Sequence, residues 1–240
     1  MGLILPVLIL IIGPLTGIIL QKVLKVHSHK MISYTVVFSG SFLMGIALFG
    51  LMPELFDNIS EAGVWIVCGF LFQVVLERFT GGLGHGHIHS NDVPKSELVL
   101  FSGLMIHALL EGYSAGLSNY LNPGVLSGMV IGISIHEVPA AFSLSVLMGS
   151  KWKRSSFVFL FLFLYVIATP IGYVSGVFVH NESIISEHMS QVITAIIAGT
   201  FLHISTTIVF ENSIRKKGGF GKLILIVAGL AVSYLACIVG

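Results

Sequence analysis

Two histidine–glutamate pairs stand inside runs of apolar residues, where each ionisable side chain costs about 3 kcal/mol or more unless it faces a cavity or a partner. The first pair lies in Ile106-His107-Ala108-Leu109-Leu110-Glu111-Gly112. At about 100° per residue, the i, i+4 positions His107 and Glu111 project from one helical face. The second lies in Ile135-His136-Glu137-Val138-Pro139-Ala140. Two such helices side by side build a metal site from His107, Glu111, His136 and Glu137. Nitrogen and oxygen donors of this mix suit zinc, and also iron, manganese, nickel or cobalt. His136 and Glu137 are neighbours that point about 100° apart, so both converge on one ion only if the helix is distorted. Pro139 supplies a distortion, because it removes an N–H and crowds the preceding turn. The plainer alternative is that these are buried hydrogen-bonded pairs locking helices together, a costly use of two imidazoles and two carboxylates at one depth.

Other histidines carry weaker signals. Gly84-His85-Gly86-His87-Ile88-His89 is a Gly-rich stretch whose alternating histidines form a possible loop metal site for sensing or delivery, or else an incidental polar loop. His203, among Ser205, Thr206 and Thr207, reads as a hydrogen-bonded packing residue rather than a ligand. A His-Glu pair in an apolar helix also fits an intramembrane metalloenzyme, but the zinc-hydrolase pattern places a second histidine where Ala140 stands. A metal sensor that binds without transport is a third reading, resting on the His loop alone.

The elements that must position these groups follow from composition. Of 240 residues, 55% are hydrophobic and 10% charged, and the mean hydropathy is +0.98. A water-soluble domain of this size would need far more polar surface. A span takes about 20 apolar residues, so the chain holds about eight, with little left for a soluble domain. The apolar runs predict spans near 3–22, 32–56, 62–80, 98–119, 124–149, 156–179, 189–211 and 221–239. The first run lacks a basic flank and a small-residue cleavage site, and reads as a span rather than a signal peptide. Cys68 and Cys237 both lie in apolar runs, which suggests neither disulfides nor a Cys-rich metal site.

The basic residues orient the chain. Lys22, Lys25 and Lys30, then Arg78 and Lys95, then Lys151, Lys153 and Arg154, then Arg215, Lys216, Lys217 and Lys222 all fall in alternate loops or at the span ends that border them. The opposite loops carry Asp57, Glu61, Glu182 and Glu187. By the positive-inside rule, both termini are extracytoplasmic. Residues 81–97 are then a flexible His-containing cytoplasmic loop within a single transmembrane domain, 1–240. Gly40-Ser41-Phe42-Leu43 in span two and Gly199-Thr200-Phe201-Leu202 in span seven form a faint repeat on helices that cross in opposite directions.

Across essentially the whole chain the pattern resembles the Zrt/Irt-like (ZIP) family of divalent metal transporters. The stretch from His107 to Gly116 is similar to that family's fourth-helix signature, and His136-Glu137-Val138-Pro139 to its fifth-helix counterpart. Met52-Pro53-Glu54 resembles the Leu-Pro-Glu ending of its second helix. The resemblance implies an all-α integral membrane protein of eight transmembrane helices in a 3+2+3 arrangement, an inverted repeat of helices 1–3 and 6–8 around helices 4–5. It further implies uptake of zinc, or of Fe2+, Mn2+ or Cd2+, toward the cytoplasm, with the ion as substrate and no resident cofactor or enzymatic activity. The expected partners are the ion, the lipid bilayer and a second copy in a homodimer, and no nucleic acid; the compact chain suits a bacterial inner membrane. Ala108, Ala140 and Gly50 stand where many members carry further metal-binding residues. The centre is therefore expected to be mainly mononuclear, made of His107, Glu111 and His136, with Glu137 a ligand or a proton acceptor.

Overall fold

A computed structural model describes residues 2–23, 29–80, 97–118, 123–151, 156–214 and 219–239. Among these residues the chain is helical throughout: α1 (Ile4–Val23), α2 (His29–Gly45), a π-helical segment (Ile46–Leu51), α3 (Met52–Asn58), α4 (Ala62–Thr80), α5 (Glu97–Leu117), α6 (Pro123–Lys151), α7 (Ser156–Asn181), α8 (Glu187–Ile214) and α9 (Gly219–Val239). Because α2, the π segment and α3 run on without a break, these make eight rods, whose ends fall within three residues of the expected spans. Six of the rods are long and apolar enough to cross a membrane. Ile4, Leu8 and Ile12 on α1 and Leu223, Ile224 and Val227 on α9 are exposed, a distribution that suits lipid and not water. The protein is an integral membrane protein. The loop histidines His85, His87 and His89 lie outside the described residues.

Span two departs from the uninterrupted helix that its apolar run suggests. Pro53 has no N–H to offer the turn before it, and the Met52 N–H bonds the Ala47 carbonyl, one residue further back than in an α-helix. Pro139 has a milder effect, since α6 continues through it to Lys151.

Helices that span lipid gain little from the hydrophobic effect on pairing, so close backbone approach at small residues carries much of the association. α5 and α7 form the most extensive pair. A Cβ on Gly112 or Gly116 would collide with the carbonyl oxygen of Thr169 or Tyr173, and one on Gly172 or Gly176 with that of Leu109 or Tyr113. Gly13 and Gly17 bring α1 against the Ser134 and Val138 carbonyls of α6 in the same way. Gly69 of α4 and Gly199 of α8 each pack on the other helix's backbone. α1, α5, α6 and α7 thus form one group, α2 to α4 with α8 and α9 another, and α2, α4, α5, α6, α8 and α9 make the sparser contacts between them. The pairs are related: exchanging α1 with α7, the α2–α3 rod with α8, α4 with α9 and α5 with α6 turns α1·α6 into α7·α5, and α4·α8 into α9·α2. A single offset in the chain carries Gly13 to Gly172, Gly17 to Gly176 and Gly40 to Gly199.

Candidate metal centre

The first helix group contains a polar cluster within an apolar surround. His107 and Glu111 lie one turn apart on α5, with His107 Nε2 at 3.3 Å from Glu111 Oε1. His136 enters from α6, its ring centroid 6.0 Å from that of His107 and its plane inclined by 76°. One donor atom from each of the three lies within 4.8 Å of the other two, and all three residues are buried. Donors about 2.1 Å from a single ion stand about 3.5 Å apart in a tetrahedron, so small side-chain rotations bring these onto one ion. Glu111 Oε2 has no hydrogen-bond partner, an arrangement that is costly in a dry interior and chemically apt for a cation. Ala108 and Ala140 are buried in the apolar cluster around the site, with Tyr165, Val166 and Ala168 of α7.

Glu137 is close to this cluster but outside it. Its Oε1 accepts a 2.8 Å hydrogen bond from Thr169 Oγ1 on α7, and its Oε2 has no partner. The buried Tyr165 hydroxyl of α7 is a second polar neighbour of the same carboxylate. α6 keeps its turn through Pro139, so the adjacent side chains of His136 and Glu137 diverge by about 100°.

Several polar residues near the centre were not singled out by motif. Gln73 of α4 and Thr200 of α8 line a cavity of about 390 Å³ together with His107 and Glu111. His203 pairs with Glu77 of α4, Nδ1 to Oε2 3.4 Å, and packs edge-on against Phe70 with centroids 4.9 Å apart. That is the packing role expected of His203, with an anionic partner added. Gln73 and Glu77 are an i, i+4 pair in a largely apolar span, a signal of the same type as His107 with Glu111 but without an imidazole to draw attention.

At the turn between α3 and α4, outside the spans, Glu61 Oε2 accepts from Ser60 Oγ at 2.8 Å and Glu61 Oε1 meets His188 Nε2 at 2.9 Å. The Ser60 hydroxyl, and then the His188 ring, hold the Glu61 carboxyl below its usual range.

Comparison with known proteins matches residues 84–236 to the family described as ZIP Zinc transporter. Zinc transporter ZIP1 of Danio rerio is 22% identical, the match covering 88% of this chain and 87% of that protein. Zinc transporter ZIP9 of Xenopus tropicalis is 28% identical over 66% of this chain and 54% of its own length. Zinc transporter ZIP9 of Micropogonias undulatus is 27% identical over 74% of this chain and 61% of its own. The chain thus spans nearly the full length of one relative and little over half of the others.

Proposed function

The chain belongs to the ZIP zinc transporter family, and we propose that it carries a divalent transition metal, zinc before iron, manganese or cadmium, across the membrane toward the cytoplasm. The observation that carries this reading is the convergence of His107, Glu111 and His136 from two helices in the middle of their spans. Two neutral imidazoles and one carboxylate hold a divalent ion with one net negative charge, less than a closed thiolate site would offer, which suits a cargo that must leave again. The metal displaces any proton on His107 or His136 as it binds, so uptake weakens as the medium is acidified.

The paired contacts support a 3+2+3 arrangement, in which an inverted repeat of spans one to three and six to eight surrounds spans four and five. In this reading the group of α1, α5, α6 and α7 carries the centre and moves against the other group, whose contacts with it are sparser, to open the site to each side in turn. The positions of the basic residues support extracytoplasmic termini in a plasma membrane, a bacterial inner membrane in particular. The cytoplasmic loop with His85, His87 and His89 receives the ion, and the working unit is a homodimer with no nucleic-acid partner.

The test is cellular: cells expressing His107→Ala or Glu111→Ala should fail to accumulate zinc when the variant protein is present at wild-type abundance. Full accumulation by both variants would refute the proposal.

A further inference from the structure

We propose that Thr169 is a positioning residue that keeps Glu137 out of the metal's coordination sphere, so that the ion is held by three protein donors with one position open. This deepens the transport reading above and rests on it.

Three observations converge. First, the Thr169 hydroxyl does something that most described hydroxyls in the spans do not. Ser41, Thr194, Ser205 and Thr206 each return their proton to a carbonyl one turn back in their own helix, the usual outlet for such groups. Thr169 instead donates across to Glu137 on another helix at 2.8 Å. Secondly, both ends of this bond are fixed in place. Thr169 and Glu137 are buried. The Thr169 carbonyl also occupies the space left by the missing side chain of Gly112, the residue next to Glu111. The backbone that presents the hydroxyl is therefore packed against the backbone that presents a metal ligand. Thirdly, Glu137 is the sequence neighbour of the ligand His136, and its hydrogen-bond donor Thr169 packs by its carbonyl against Gly112, next to the ligand Glu111, so its carboxylate is a candidate to reach the ion if released.

A fourth, anionic ligand would turn the open site into a closed tetrahedral one, the form that structural zinc takes. A transporter needs the reverse, since an ion bound too tightly leaves too slowly. With Ala108 and Ala140 supplying no donors, Glu137 is the remaining carboxylate in the middle of the two signature helices, and Thr169 holds it aside.

The experiment compares zinc affinity of the purified full-length protein, by competition with a chelating dye, with the ligand number seen by X-ray absorption of the zinc-loaded protein. Thr169→Val keeps the shape of the side chain and removes its proton. It should bind zinc about tenfold more tightly, the factor expected when one charge-assisted hydrogen bond no longer restrains the carboxylate. It should also show four protein donors in place of three and carry zinc more slowly. Thr169→Ser, which keeps the hydroxyl, should behave as wild type. Adding Glu137→Gln to Thr169→Val should return affinity to the wild-type value. Thr169→Val with unchanged or weaker affinity would overturn the proposal. A second route does not depend on that variant folding: Glu137→Gln alone should leave affinity within about threefold of wild type, and a loss of tenfold or more would show that Glu137 is already a ligand. His107→Ala distinguishes the two levels, because zinc bound by it as tightly as by wild type would refute the centre itself, and the role of Thr169 with it.

Discussion

One methyl group, placed at two glycines, tests whether the α5–α7 interface is as close as described. Gly63 of α4 has open surroundings, since an added Cβ would lie 3.8 Å from Phe56 Cε1. At that distance the contact is ordinary, and Gly63→Ala should gain up to about 1 kcal/mol from the lower backbone entropy of alanine. Gly112 receives the same gain, but its Cβ would overlap the Thr169 carbonyl oxygen and approach the Tyr173 nitrogen to 2.9 Å. Neither is the movable end of a side chain, so the two helices must separate, and overpacking of this type costs about 1–3 kcal/mol. The net expectation is a loss of up to about 2 kcal/mol, about 30-fold in the folding equilibrium. Thermal unfolding in detergent would register this at about 2–4 °C per kcal/mol for a chain of this size. Because Gly112 adjoins Glu111, zinc flux should fall as well. The reasoning is refuted if Gly112→Ala melts at or above the wild-type temperature, as Gly63→Ala should.

Saturating zinc should raise the melting temperature, with a stabilisation of about 2.7 kcal/mol at a hundredfold excess over the dissociation constant; a chelator should reverse the rise, and His107→Ala should abolish it. His203→Ala removes the partner of Glu77 and should cost about 1 kcal/mol in a melting experiment, in the range of polar contacts between helices in membranes, while leaving zinc affinity at the centre unchanged. The Glu61 carboxyl is held low by Ser60 and His188, so its contribution is complete above the ordinary glutamate range, about 4.3, and is lost as pH falls through the lower folded value. Protection of the amides at the start of α8, measured relative to their intrinsic exchange rates, should therefore fall on strong acidification, and Glu61→Gln should remove that change in protection.

The features legible in the sequence are those set by local rules. Hydropathy places each rod to within a few residues, since the bilayer fixes a span's length and polar loops mark its ends. His107 with Glu111 follows from helical periodicity alone, and His136 from its setting in an apolar run. The π segment in span two is less legible, although Pro53 is its cause, because a proline can kink, end or widen a helix and only packing decides which. The partner of Glu137 cannot be read from its own helix: the hydroxyl it accepts from belongs to Thr169, on α7, and only the packing of α7 beside α6 brings the two together. Gln73 and Glu77 are visible as polar residues in span three, but what they face is set by the packing of α4 against α8.

The central claim is that the cluster of His107, Glu111 and His136 is the point through which a metal crosses. Flux of zinc into proteoliposomes containing the purified protein tests it most directly, with iron, manganese and cadmium for comparison and the His107→Ala, His136→Ala double variant as control. The account predicts saturable zinc flux that the double variant loses while keeping its helical content. Equal flux through the double variant, or tight zinc binding with no flux by the wild-type protein, would contradict it.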